Sequence, residues 1–251
     1  MNPVSVVIIT KNAGSVVGAC IDSVRGLADE VVVLDSGSND VTREVCESRG
    51  ARFVETDWPG FGPQKQRAVQ AARNDWVLCL DADERLSPAL LDSMRKAMAQ
   101  PAFAAYRFAR SNRFMGRYLK FGEGYPDWSL RLFDRRVAHW SDDVVHEKVL
   151  CSVPVGTLAG DLLHDSAETL ASYMTKQNRY TSLAASAALI EGRRVSVARL
   201  LLSPLVRFVK FYFLRAGFRD GLPGLVHILL GCFNSFAKYA KMLEQRRTGD
   251  Q

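Results

Sequence analysis

The sequence predicts an α/β fold, with a mostly parallel, Rossmann-like sheet over residues 1–165 and a helical, basic region over 166–251. Three observations carry this. Apolar, β-branched runs alternate with helical stretches through about the first hundred positions. The runs that read as strands end on polar clusters. The basic excess is confined to the tail, where 11 of the 33 Lys and Arg but only 3 of the 27 acids lie from Arg193 onward.

Taken in order, Val4–Thr10 is a strand of near-continuous apolar character, as expected where both faces of a sheet are covered. A helix over 16–27 follows, then a strand over 30–34 that ends at Asp35. The loop 35–40 is rich in turn and cap formers and leads into a helix over 41–48. Arg52–Glu55 is a short strand, 64–73 a helix and 76–80 the fourth strand. Ser87-Pro88 opens another helix, with Ser as cap and Pro in the first turn. Residues 102–165 are irregular and aromatic-rich, with a short strand over 127–133, and suit either acceptor binding or core packing.

Composition narrows the class. An apolar fraction of 47% and a charged fraction of 24% are those of a globular protein. Cys20, Cys46, Cys79, Cys151 and Cys232 are odd in number, lack C-x-x-C spacing and lie in apolar segments; this reads as reduced, buried thiols in the cytosol. Met1-Asn2-Pro3 runs straight into the first strand, with no signal-peptide pattern. The phosphate-binding pattern G-x-x-x-x-G-K-[ST] is missing, which argues against a P-loop phosphoryl transferase.

The chemistry concentrates where strands end. Thr10-Lys11-Asn12, the loop 35–40 and Asp81-Ala82-Asp83-Glu84 all fall at carboxyl ends of predicted strands, where parallel sheets collect ligands. The last cluster closes the apolar run Trp76-Val77-Leu78-Cys79-Leu80 with three carboxylates. Their repulsion requires either solvent or a cation among them. Mg2+ or Mn2+ suits carboxylate and phosphate oxygens, so Asp-x-Asp here can hold a metal-bound diphosphate.

The segments VVIITKNAG, VVVLDSGSND, FGPQKQRAV, WVLCLDADE, DWSLRLFDR, VVHEKV and LLHDSAETL together resemble family-two glycosyltransferases, most nearly the lipopolysaccharide core β-1,4-glucosyltransferase subgroup. The resemblance implies a nucleotide-binding sheet of GT-A type and an inverting, metal-dependent hexose transfer. The donor it implies is UDP-glucose, and the acceptor a lipid-linked saccharide such as the lipopolysaccharide inner core. It implies that Thr10, Asn12, Asp35 and Ser36 line the nucleotide pocket, with Asp35 accepting hydrogen bonds from uracil or ribose, and that Lys65 or Arg67 meets donor phosphate. Asp81 and Asp83 would face the sugar-diphosphate, with Asp83 the more direct metal ligand. Such a transfer needs a carboxylate as base, for which Asp142, Asp143 and Glu147 are the candidates; Glu147 is favoured because VVHEKV matches the family, and His146 adjoins it. His164 reads either as a further metal ligand or as a capping or core residue, while His139 and His227 read as structural. The family often shows Asn where this chain has Gln66.

The tail begins with a long helix from about Glu168. A Ser203-Pro204 helix opening follows, with Leu201, Leu205, Phe208 and Tyr212 on one face and Arg199, Arg207 and Lys210 on another. After a break at Gly221-Leu222-Pro223-Gly224 comes a last helical segment. Neither of these last two segments has the roughly 18 uninterrupted apolar residues of a spanning helix. Apolar faces with basic flanks describe helices lying in the cytoplasmic lipid interface, drawn to anionic headgroups, and the resemblance implies that this is the inner face of a bacterial inner membrane. A helical lid packed on the domain is the alternative, and both can hold. Nucleic acid is disfavoured, since the basic residues stand among bulky aliphatics.

Overall fold

The computed structural model describes residues 1–143, 147–166, 169–193 and 195–249. The chain divides into two compact units, Met1–Arg110 with Asp127–Asp165, and Ser111–Pro126 with Ser166–Gln251. The 111–126 segment, placed in the first domain by sequence, therefore groups with the helices.

In the first unit, β1 (Val4–Thr10), β2 (Glu30–Asp35), β3 (Arg52–Glu55) and β4 (Trp76–Asp81) form the parallel part of the sheet. The full sheet is mixed rather than mostly parallel. Beyond β4 come β8 (Asp127–Asp134), β6 (Ala105–Phe114), β11 (Val155–His164) and β5 (Glu84–Leu86), in the order β3-β2-β1-β4-β8-β6-β11-β5. The β4–β8, β8–β6 and β11–β5 pairs are antiparallel. The two-residue β7 (Arg117–Tyr118) pairs antiparallel with the end of β6, and a separate ribbon joins β9 (Ala138–Trp140) to β10 (Val149–Cys151). The two ten-residue strands β6 and β11 lie in the stretch that reads as irregular from sequence.

The alternation of a doubly covered sheet is visible in the core. Val4, Val6 and Ile8 of β1 join Leu78 and Leu80 of β4 on one face, while Val7 and Ile9 join Val77 and Cys79 on the other. Each such buried aliphatic contributes about 1.5–3 kcal/mol. The first face is covered by α1 (Val17–Ser23), α2 (Thr42–Glu47) and α4 (Pro88–Ala99); α3 (Phe61–Ala71) packs beside β1 and β2 on the second. The helix expected over 16–27 is thus shorter. The Ser87 cap is present, its hydroxyl accepting from the Leu90 amide at 3.3 Å, and Leu90, Met94 and Met98 repeat at helical spacing into the core. Strand β11 crosses the start of α4 at Gly160 (φ +98°), where a Cβ would meet the Leu90 nitrogen at 2.3 Å. That close approach lets β11 run on to His164.

The second unit contains α5 (Leu170–Ile190), α6 (Val197–Phe208), a wider π-helical turn over Val209–Leu214, a 3₁₀ turn over Gly217–Asp220 and α7 (Gly221–Gly249). The sequence placed the start of α5 at Glu168, which lies outside the described residues. Ser203-Pro204 does not open a helix: Ser196 caps α6, and Pro204 sits inside it. The expected break at 221–224 is likewise the first turn of α7, where a prolyl residue lacks no needed donor. Ala185, Ala188, Val195 and Met242 form the small core. The carboxylate of buried Asp220 ties in the 120–121 backbone by accepting from the amides of Lys120 (2.9 Å) and Phe121 (2.8 Å). Among the described residues, no helix is long and apolar enough to cross a membrane.

Candidate active site

Strand register brings the polar ends together, with Thr10 beside Asp35 and Ile9 beside Asp81. At the β1–β2 end, Asp35 is fully buried and saturated. It accepts from Thr10 Oγ1 (2.9 Å), from the amides of Gly37 (2.9 Å) and Ser38 (2.6 Å), and from Ser38 Oγ (2.5 Å). Asn12 adopts the left-handed region (φ +50°), donates its amide to Ser38 Oγ and accepts the Asn39 amide at 2.9 Å. Ser36 accepts from Gln64 Nε2 at 3.2 Å. The buried Gln64 Oε1 has no partner among the described residues.

At the β4 end, the chain itself supplies the cations that the acid triplet demands. Lys65 Nζ lies 3.0 Å from Asp81, and Arg131 Nη2 lies 3.2 Å from it. Glu84, wholly buried, accepts the Asp81 amide at 3.0 Å and pairs with Arg110 (3.3 Å) and Arg131 (3.7 Å). Burial would raise the Asp81 carboxyl, but Lys65 and Arg131 outweigh it and hold it well below the usual carboxylate range. Burial likewise opposes charge on Arg131, yet Glu84 and Asp81 raise it above its ordinary value.

Asp83 is the member of the triplet left outside this network. Its carboxylate meets His164 Nε2 at 3.3 Å, and its carbonyl accepts the Asp165 amide. Pairing of His164 with Glu84 across β11 and β5 fixes that placement. Burial works against protonation of His164, but the Asp83 hydrogen bond and charge prevail and raise it above its ordinary value.

Of the three candidate bases, Glu147 alone joins the cluster, accepting from Lys65 Nζ at 2.8 Å. Asp142 and Asp143 are exposed, and neither carboxylate takes part in an ion pair among the described residues. Asp143 serves instead through its backbone carbonyl, which accepts the Gly62 amide at 3.2 Å. A Cβ on Gly62 would meet the carbonyls of Ser141 and Asp143 at 2.2 and 2.6 Å, so the start of α3 lies directly on this segment. Of the two proposed phosphate ligands, buried Lys65 faces the cluster. Arg67, two positions on, points elsewhere and pairs with Asp57 at 2.7 Å, because two helical steps turn a side chain to the far face. His146 lies outside the described residues.

A cavity of about 350 Å3 opens here, lined by Asp81, Arg110, Trp128, Arg131, Trp140 and Glu147. The Trp140 ring lies 4.8 Å from Lys65 Nζ and 5.0 Å from the Arg131 guanidinium, and its amide is held by Gln66 Oε1 at 2.9 Å. Sequence reasoning missed Arg131, Arg110 and the structural role of Glu84. The signal was present: Arg131 interrupts the apolar run of DWSLRLFDR, and an arginine buried in a strand needs carboxylates nearby.

The donor set fits a substrate-borne cation rather than a closed protein cage. Asp83 and His164 could offer two ligands, and no third His, Cys, Asp or Glu joins them among the described residues. Mg2+ or Mn2+ is commonly held in that way, with substrate phosphate and water completing the shell.

A family model described as Glycosyl transferase family 2 matches residues 5–151. The chain belongs to glycosyltransferase family 2. This family-two enzyme is 30% identical to the lipopolysaccharide core biosynthesis glycosyltransferase LpsC of Rhizobium meliloti, over 97% of this chain and 93% of that one. It is also 30% identical to an uncharacterized glycosyltransferase of Rickettsia felis, covering 97% of this chain and 90% of the relative. Among solved structures it is similar to glucosyl-3-phosphoglycerate synthase of Mycobacterium tuberculosis in complex with Mn2+, UDP-glucose and phosphoglyceric acid. That match has a TM-score of 0.38 and 27% identity, over 45% of this chain and 44% of that one.

Proposed function

We propose that this glycosyltransferase is an inverting, divalent-cation-assisted enzyme that moves glucose from UDP-glucose to a lipid-linked saccharide of the lipopolysaccharide inner-core type. The observation that carries the reading is the Lys65 bridge between Asp81 and Glu147, beside the separate Asp83–His164 pair. A relative that works in lipopolysaccharide core biosynthesis supports the acceptor class. The apolar, basic tail supports a peripheral position on the inner face of the bacterial inner membrane.

Uridine binds at the ends of β1 and β2, against the loops of Thr10, Asn12 and Ser36. Asp35, whose oxygens Thr10 and its own loop occupy, shapes that pocket rather than accepting from uracil or ribose. Glu147 takes the proton of the acceptor hydroxyl as that oxygen forms its bond to the anomeric carbon. The bond from the anomeric carbon to the β-phosphate oxygen breaks on the opposite face, and the electron pair leaves with UDP, inverting the centre. Lys65 and Arg131 keep Asp81 ionised and fixed, and Lys65 orients Glu147. Asp83 and His164 would hold a Mg2+ or Mn2+ ion, which would supply Lewis-acid stabilisation of the leaving diphosphate.

Calorimetric titration of UDP-glucose with and without Mn2+ tests this. Mn2+ should tighten binding to the unsubstituted enzyme, whereas Asp83→Ala should lose that gain and all transfer while melting normally. Ordinary turnover by Asp83→Ala would overturn the assignment.

A further inference from the structure

The second unit exposes large apolar side chains on α5, α6 and α7, most densely on α6, an inverted helix. In α6 and the π-helical turn after it, none of the described residues is buried. Val197, Leu201, Leu205 and Val209 recur every fourth position, with Leu202 and Val206 one step around, and all six are exposed. Leu205 is 59% exposed, Val206 64% and, past the helix, Leu214 79%. Two of the polar groups of α6 point the other way. Ser203 Oγ meets Ser235 Oγ at 2.6 Å, and Arg207 is ion-paired with Glu123. The arginine expected on the outer basic face is therefore a structural, inward one. A helix facing water would show the reverse pattern, so this face is built to be covered.

The charge around it identifies what covers it. Between Arg193 and Arg219 the sequence holds seven basic residues and no acidic one. By helical spacing Arg199 and Lys210 follow Val206 around α6, at the margin of the apolar stripe, and Arg215 and Arg219 are exposed beyond its end. A second copy of the chain would bring like charges together across such a face, whereas anionic headgroups around an apolar interior satisfy both features at once.

We infer that the outward face of α6, continued by Phe213 and Leu214, is the surface by which this enzyme docks on a bilayer of anionic lipid. Leu201, Leu205, Val206 and Phe213 enter the acyl boundary, while Arg199 and Lys210 reach the headgroup phosphates. The helix lies in the interface and does not span it. This deepens the membrane position proposed above by assigning it to one element.

Flotation of the full chain with two vesicle types tests the inference, one of phosphatidylethanolamine with phosphatidylglycerol, the other of phosphatidylcholine alone. The unsubstituted chain should float with the anionic vesicles and be released by salt. Leu205→Gln/Val206→Gln/Phe213→Gln should cut that partitioning about tenfold or more, with its melting temperature and UDP-glucose binding unchanged. Lys210→Glu should weaken binding to the anionic vesicles selectively. Equal flotation of the triple variant would overturn this surface while leaving the membrane position standing. Failure of the unsubstituted chain to float with either vesicle would overturn both. A dimer in the absence of lipid that the triple variant converts to monomer would assign the face to self-association instead.

Discussion

Replacing Lys65 by Met tests whether the active site is held together by charge. The ammonium is about 5% exposed and bridges Asp81 and Glu147, whose side chains are 27% and 17% exposed. Met keeps most of the volume and removes the charge, leaving two carboxylates near one another. Breaking a buried ion pair from one side costs about 3–5 kcal/mol. Asp81 retains Arg131, so the lower end, about 3 kcal/mol, applies. For a chain of this size that corresponds to a fall in melting temperature of roughly 6–12 °C. Thermal melts of Lys65→Met, Glu147→Gln and the double variant form a cycle. Neutralising Glu147 removes part of the repulsion, so the double variant should recover about 1–2 kcal/mol relative to additivity. A Lys65→Met protein melting within about 1 °C of the unsubstituted enzyme, or strict additivity in the cycle, would refute the bridge as a structural element.

Two further outcomes follow from the same geometry. Glu147→Gln should lower kcat about 10²- to 10⁴-fold and leave the KM for UDP-glucose within about twofold, because an amide cannot take the acceptor proton; steady-state kinetics reads both, and a loss below about fivefold removes Glu147 as base. Burial pushes the His227 imidazole down, and Arg207 adds to the effect; the ring is neutral in the fold, with Tyr173 Oη at 3.4 Å. The unfolded chain protonates first, near pH 6.5, so this contribution to stability is complete above about pH 6.5 and is lost as pH falls from there toward the lower folded value. Melts at about pH 7.5 and 5.5 should show a larger acid loss in the unsubstituted enzyme than in His227→Phe, and equal losses would remove the histidine from the account.

The parts of this fold that were legible in sequence were those set by local pattern. β1 and the short β3 have the predicted bounds, β1 because a β-branched run between turn formers leaves few alternatives. Ser87-Pro88 is a helix start in sequence and in space. Ser203-Pro204 has the same two residues and misleads, since Ser196 had already capped the helix and the chain tolerates Pro204 inside it. Strands β6 and β11 escaped notice because their aromatic and glycine-interrupted sequences gain their regularity from neighbours across the sheet. At the site, types of residue were readable and partners were not. Lys65 and Arg67 are equivalent candidates in sequence, and only the turn of α3 separates them. The buried thiols show the same limit: Cys20, Cys46 and Cys79 are enclosed, with burial pushing Cys46 and Cys79 up to about 11, whereas Cys151 and Cys232 are half-buried.

The acid triplet that ends β4 raised the question of what cation it serves, and its members divide in their answers. Asp81 and Glu84 are neutralised from within by Lys65, Arg110 and Arg131, so neither needs a metal to exist in the fold. This leaves Asp83, paired with an imidazole whose protonation it favours, as the carboxylate available to an incoming ion. One carboxylate and one histidine bind a hard cation weakly, and a diphosphate supplies the oxygens they lack. The internal cations therefore do more than cancel charge. By fixing Asp81 and Glu84 they would, on the proposed reading, limit the ion's protein ligands to a pair, and a pair makes cation binding depend on the donor. An enzyme so built would take up its metal with its sugar nucleotide and release it with the spent diphosphate.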